Sequence, residues 1–290
     1  MHRRTRLALL APAAAGLLLL SACSSGGSSG SDGSSDQAAS CDKADLETYA
    51  DGVLTVATDT PAFEPWFVDD EPSNGKGFES AVAYAVAKQL GFDKADVKWT
   101  TEAFNSAYAP GKKKFDFDIN QVSITPERAK AVDFSDGYYD VNQAIVGFSD
   151  SKAAKAKTVA DLKDLKLGAQ QGTTSYDFIT EVIKPKQQPF VYNDNSAAKA
   201  ALTAKQIDGI VLDLPTALYV SAAEIEGSEV IGQFPTTGDK PEQFGMVFEK
   251  GNPLRDCVNE ALATLQEDGT LDEIQQKWLS DTVAPQISLS

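Results

Sequence analysis

Apolar positions along the chain follow two periods that take turns. Val53 to Thr58 is a compact apolar run of strand length, whereas Phe78, Val82, Ala85, Val86 and Leu90 recur at helical spacing up to Gly91, a natural helix stop. Asp116 to Ile119 reads as another strand. Leu165 to Gln170 predicts a third, followed by Gly172-Thr173-Thr174-Ser175 and a helix through Ile183. Gln206 to Leu212 predicts a strand that ends at Asp213, with Pro215 at the start of the next helix. Asn252-Pro253 opens a long helix, and Thr270 with Glu273 has the spacing of a capping box for the last one. Strands and helices in alternation predict an α/β fold, and no internal repeat is evident.

The N-terminus follows a different pattern. Met1 to Arg6 is basic, Leu7 to Leu20 is apolar but too short to span a bilayer, and Leu20-Ser21-Ala22-Cys23 closes the run. This resembles a bacterial lipoprotein signal peptide over residues 1–22, in which Cys23 becomes the lipidated first residue of the mature chain. An ordinary secretory leader is the alternative. Ser24 to Ser40 is almost wholly serine, glycine and a few acidic or amide residues, and cannot bury enough surface to fold. Residues 23–40 are thus a lipid-bearing tether with a reach of ~20–25 Å.

Loss of residues 1–22 removes three arginines and no acids, taking the formal net charge from -16 to -19. A body this acidic is a poor nucleic-acid binder, and the acyl anchor rather than charge would hold it at a membrane. The chain's single histidine, His2, leaves with the leader, so Ser-His-Asp triads and histidine metal sites are excluded. Neither a P-loop nor a G-x-G-x-x-G motif occurs. No metal and no cofactor is expected.

Only Arg128 and Arg255 remain as arginines in the mature chain, which marks Arg128 as chosen for its planar fork. Thr125-Pro126-Glu127 is a helix start, so Arg128 falls in a first helical turn, where the dipole disfavours a cation unless an anion accompanies it. A ligand carboxylate would supply that anion; pairing with Glu127 or Asp133 is the plainer possibility. Thr173 and Thr174 offer hydroxyls and N–H groups at another helix start, a cradle for an anion or a simple cap. Asp213, at a strand end, could accept from an ammonium or cap the next helix.

The run S-I-T-P-E-R followed by D-F-S-D-G-Y-Y resembles the signature segment of the extracellular solute-binding proteins of family 3, the polar amino-acid receptors of ABC importers. Other pieces are similar in order and spacing: V-L-T-V-A-T-D-T-P-A-F-E-P-W-F, G-K-G-F-E-S, L-G-A-Q-Q-G-T-T-S, I-V-L-D-L-P and the closing D-G-T-L-D-E-I-Q-Q-K-W-L. The resemblance implies a periplasmic-binding-protein-like type II fold, two α/β lobes joined by two crossing strands. It puts 41–145 and 245–290 in lobe I, 146–244 in lobe II, and the crossings near Gln143 to Phe148 and Gln243 to Phe248.

The resemblance also implies the site. Arg128 would bind the α-carboxylate beside Ser123, Thr173 and Thr174, and Asp213 the α-ammonium. Asp59 would meet a polar or cationic side chain. Asn120 and Gln121 depart from the small residues many members have there, and Asp59, Gln121 and Gln170 together suit a polar or basic side chain. Phe63, Trp66 and Phe104 would surround the aliphatic part, although core packing explains Trp66 and Phe104 equally well. A monomeric receptor anchored outside the cytoplasm, with an amino-acid ligand and a membrane permease as partners, is expected. The alternatives are a carboxylate-dependent periplasmic enzyme of the same fold, a dehydratase or lyase, or a sensor lipoprotein. With Cys23 lipidated, Cys41 and Cys257 remain in an oxidising compartment, which favours a disulfide over a buried free thiol.

Overall fold

In a computed structural model, the structure describes residues 40–279 and 284–289. The expected signal peptide, the expected lipidation site Cys23 and all but the last residue of the expected tether lie outside these residues. In chain order the elements are β1 (Leu54–Thr58), α1 (Phe78–Gln89), β2 (Val97–Thr101), α2 (Phe104–Ala107), β3 (Phe117–Asp118), β4 (Asp133–Phe134) and β5 (Tyr139–Val141). There follow β6 (Gln143–Phe148), α3 (Val159–Leu162), β7 (Leu167–Gln170), α4 (Thr174–Phe178), β8 (Phe190–Tyr192), α5 (Asn195–Thr203), β9 (Gly209–Asp213), α6 (Leu214–Tyr219) and β10 (Ser228–Gln233). The chain returns through β11 (Glu242–Phe244) and β12 (Val247–Phe248) and ends with α7 (Leu254–Glu267) and α8 (Thr270–Trp278).

Two five-stranded sheets, in the orders β2-β1-β3-β12-β4 and β10-β6-β9-β7-β8, form the two lobes, and a ribbon of β5 and β11 joins them. Within each sheet the strands that carry the site are parallel, β1 with β2 and β3, β7 with β8 and β9, so their C-terminal ends open toward the same cleft. The first lobe packs Leu54, Val56, Phe78, Val82 and Val86 against Phe117, Phe248 and the buried stripe Leu254, Val258 and Leu262 of α7. The second has a core on each face of its sheet, around Ile145 and Val211 on one side and Val146 and Leu212 on the other.

Three sequence expectations need correction. The crossing is β5 with β11, antiparallel with Val141 opposite Glu242, so Gln243 and Phe244 lie in it as expected, while Gln143 to Phe148 lies wholly in the second sheet and Val247-Phe248 in the first. Gln143 to Val146 is buried because β6 sits between two strands under both cores, and such a continuous run belongs to a sheet interior rather than to a connecting ribbon. The capping box at Thr270 does not form. Gly269 turns the chain with φ +80°, Thr270 is already helical, and Asp268 accepts from the Thr270 N–H at 2.9 Å instead.

The third correction concerns residues 284–289, expected with the first lobe. Gln286 and Ser288 bridge to Gln233 and Thr158 of the second lobe, and Ile287 is buried in that lobe's core. Gly232 leaves the space: a Cβ there would lie 2.6 Å from Ile287. The tail thereby covers part of the exposed edge of β10.

Candidate functional site

The cleft between the two sheets is lined by Asp59, Phe63, Phe104, Gln121, Ser123, Arg128, Thr173, Thr174 and Asp213, together with Asn120, Gln170 and Asn195. Trp66 is not among them. It is fully buried, packs edge-on against Phe78, Tyr139 and Phe244, and donates its indole N–H to Thr216 Oγ1 at 2.8 Å across the lobes.

Arg128 opens a single 3-10 turn (Arg128–Lys130), and Thr125 caps it by accepting from the Arg128 N–H at 3.2 Å. The guanidinium forms no ion pair with the nearby acids, since Glu127 pairs with Lys130 and Asp133 with Lys250. It is 8% exposed and lies 4.5 Å from the Tyr108 ring centre and 5.6 Å from that of Phe104. Nη1 donates to Ser123 O at 2.7 Å and Nη2 reaches across to Gly172 O of the second lobe at 2.8 Å. Burial lowers its pKa, yet a guanidinium stays charged. Gly172 has φ +74°, and a Cβ there would stand 2.3 Å from Asn105 Oδ1, so only glycine lets this loop meet α2 so closely.

On the opposite wall Thr173 caps α4, accepting from Tyr176 N, which frees Thr174 to point into the cleft. Asp213 occupies the cap position of α6 without capping it. Its Oδ1 accepts instead from Gln143 Nε2 at 2.8 Å, and burial, followed by the charge of Glu242, raises its pKa well above the usual carboxylate range. Asp59 turns inward, accepting from Thr60 N at 2.7 Å and Phe104 N at 3.1 Å, and so fixes the start of α2 as well as lining the cleft. The set combines one cation with carboxylates on both lobes and hydroxyls between them. That composition suits a small zwitterion whose anionic end meets Arg128 and whose cationic end meets Asp213.

Residues 54–281 match the family described as bacterial extracellular solute-binding proteins, family 3. The chain belongs to this family. It is similar to the ABC transporter glutamine-binding protein GlnH of Bacillus subtilis (strain 168), 31% identical over 92% of this chain and 94% of that one. It also resembles ABC transporter arginine-binding protein 1 of Escherichia coli (strain K12), 30% identical over 70% of this chain and 81% of the relative. Among solved structures, an ancestral arginine-binding protein bound to arginine superposes with a TM-score of 0.67 at 33% identity, covering 79% of this chain and 99% of that chain. An ancestral amino acid-binding protein described as a precursor of cyclohexadienyl dehydratase gives 0.66, also at 33% identity, over 79% of this chain and 96% of that one. The two-lobe α/β fold and an extracytoplasmic binding role accord with these relatives.

Three polar residues of this family 3 protein escaped the sequence reading. Gln143 links Asp213, Glu242 and Ser175, with Ser175 Oγ donating to its Oε1 at 2.6 Å. Glu242, on the ribbon, accepts from the hydroxyls of Ser123 and Thr174, two residues of the cleft lining. Glu79, in the first turn of α1, is fully buried and accepts from Gln121 N at 2.6 Å, from Gln121 Nε2 and from Tyr138 OH. It thereby pins Gln121, which has φ +49°, and the loop that carries Ser123. The signal for Glu79 was its place in G-F-E, but a helix-start acid has an ordinary dipole explanation.

Burial raises the pKa of Glu79 to about 7 against the hydrogen bonds that favour its charge. Between its ordinary value and about 7 the folded chain holds a proton that the unfolded chain has lost, so stability falls as pH rises through that window, by about 3 kcal/mol in all. Asp118 and Asp213, also raised by burial, act in the same direction. The described residues contain no histidine, so none titrates in this window. Urea titrations are expected to show higher stability near pH 5 than pH 7.5, with a smaller difference in Glu79→Gln. A difference that the substitution leaves unchanged would assign the effect elsewhere.

Proposed function

We propose that this protein is the substrate-binding lipoprotein of an ABC importer, capturing a polar or basic amino acid between its lobes and presenting it to a membrane permease. The observation that carries this is the placement of Arg128 and Ser123 on one wall of the cleft, with Thr174 and Asp213 on the other. Only a closed cleft lets a single small molecule touch all four, so the ligand stabilises closure by having more to bind there. The preference for polar or basic side chains rests on the cleft lining: Asp59 adds a carboxylate beyond Asp213, beside the amides of Gln121 and Gln170, against Arg128 as the cation lining the cleft. The named relatives bind glutamine and arginine.

Calorimetry of ligand-stripped protein against the common amino acids tests this reading. Binding of arginine, lysine or glutamine with 1:1 stoichiometry is the expected outcome, and silence across the panel would reject it. Unchanged amino acid after prolonged incubation is expected as well, whereas a dehydrated or cleaved product would favour the enzyme alternative. A single binding unit per particle in solution would accord with the monomer. For the membrane anchor, the expected result is that Cys23→Ser releases the protein to the medium or leaves it unprocessed; a variant still lipidated and membrane-bound would refute it.

A further inference from the structure

We propose that Glu242 is a resident stand-in for the ligand's carboxylate, a side chain that occupies the anion cradle until an amino acid displaces it and so sets affinity and ligand choice. The inference rests on the binding role proposed above. Glu242 Oε1 accepts from Ser123 Oγ of the first lobe and from Thr174 Oγ1 of the second, each at 2.5 Å, and its Oε2 accepts from Gln143 Nε2 at 3.1 Å. One carboxylate oxygen is thus shared by a hydroxyl from each lobe, which is the contact an amino-acid carboxylate would make there. Ionised oxygens holding such hydroxyls form the stronger class of hydrogen bond.

The backbone delivers Glu242 to this point. It lies in β11 opposite Val141, and two residues on, Phe244 bridges to Ser123, with Ile124 N donating to Gln243 O at 2.8 Å. Arg128 is left with carbonyl partners from both walls rather than a carboxylate, although the charge of Glu242 is among those that act on it. The room left in the cleft is about 40 Å³, the space of one or two waters. A ligand carboxylate that takes the Ser123 and Thr174 hydroxyls needs Glu242 to swing out, and an acidic ligand would meet Glu242 and Asp213 on the way. The same contacts hold the lobes together in the absence of ligand, because Glu242 joins Ser123 to Thr174.

The test uses ligand-stripped mature protein, wild type and the variants Glu242→Ala and Glu242→Gln. Two readouts are needed: calorimetric affinity for the amino acid that wild type binds, and the inter-lobe distance without ligand from small-angle scattering. In Glu242→Ala we expect affinity to rise roughly tenfold or more, the factor for one charge-assisted hydrogen bond no longer broken on entry, and a wider unliganded cleft. Glu242→Gln keeps the shape and loses the charge, so a smaller change of the same sign is expected. Lower affinity in both variants would make Glu242 a direct ligand contact, and unchanged affinity would make it a bystander; either overturns the proposal. Should wild type bind no amino acid, the function proposed above fails, and the unliganded distance still decides the bridge: no widening in either variant overturns it.

Discussion

Replacing Arg128 by alanine is expected to abolish amino-acid capture. The guanidinium is the cation of the cleft wall, desolvated against Phe104 and Tyr108, and a carboxylate that loses such a partner forfeits ~3–5 kcal/mol, roughly two to four decades in affinity. The fold should survive. Arg128 lies in one short turn beside the cleft, and the two carbonyls it releases, Ser123 O and Gly172 O, can be hydrated when the lobes part. Arg128→Lys is expected to bind poorly too. An ammonium has no fork with which to hold Ser123 O and Gly172 O while also meeting a ligand oxygen. Calorimetry with a melting curve on each variant makes the measurement, and wild-type affinity in Arg128→Ala would refute the assignment.

The second large effect is expected in stability. Cys41 and Cys257 are disulfide-bonded with Cα atoms 5.4 Å apart, closing a loop across a sequence separation of 216 residues. Such a loop gives at most ~5 kcal/mol on the chain-entropy account, less any native strain. Cys257 is buried on α7, and Cys41 packs against the same first-lobe core. Removing the bond in Cys41→Ser/Cys257→Ala should therefore lower the melting temperature, on the order of 10 °C for a body of this size, and leave ligand affinity nearly unchanged. Two freely alkylated thiols in the native exported protein, or an unaltered melting temperature in the double variant, would leave the staple without support. A fall in affinity matching the fall in stability would couple this bond to the cleft against expectation.

What could be read from the sequence was whatever one residue announces by its own chemistry. Arg128 stood out because Arg255 is the one other arginine beyond residue 22 and because Thr125-Pro126 fixes a turn beneath it. Thr173 and Asp213 stood out as ends of apolar runs, and the structure brings them to one cleft. Strands such as β4 and β12, two residues each, are too short to show any period and exist only because the neighbouring strands supply partners. Gln143 was hidden in a strand that looked uniformly apolar from Ala144 onward. Glu242 lay in a polar stretch, T-T-G-D-K-P-E-Q, where one more acid signals nothing; only pairing with a distant strand turns it inward. Trp66 was ambiguous because a buried aromatic and a ligand-facing aromatic have the same sequence signature. The failed capping box at Thr270 has a similar cause: Asp268 offered a competing acceptor two residues earlier, and local sequence did not rank the two.

The tail that lies along β10 separates the ends of the folded body. Cys41 is fixed to the first lobe, whereas Ile287 and Ser288 are fixed to the second. The two ends therefore sit on different lobes, on either side of the β5–β11 ribbon. A pair of fluorophores, one ahead of Cys41 and one after Ser290, would turn the angle between the lobes into an energy-transfer signal without altering any residue in the cleft. The molecule is wired as its own optical gauge, and a fusion placed at the C-terminus loads the second lobe, not the first.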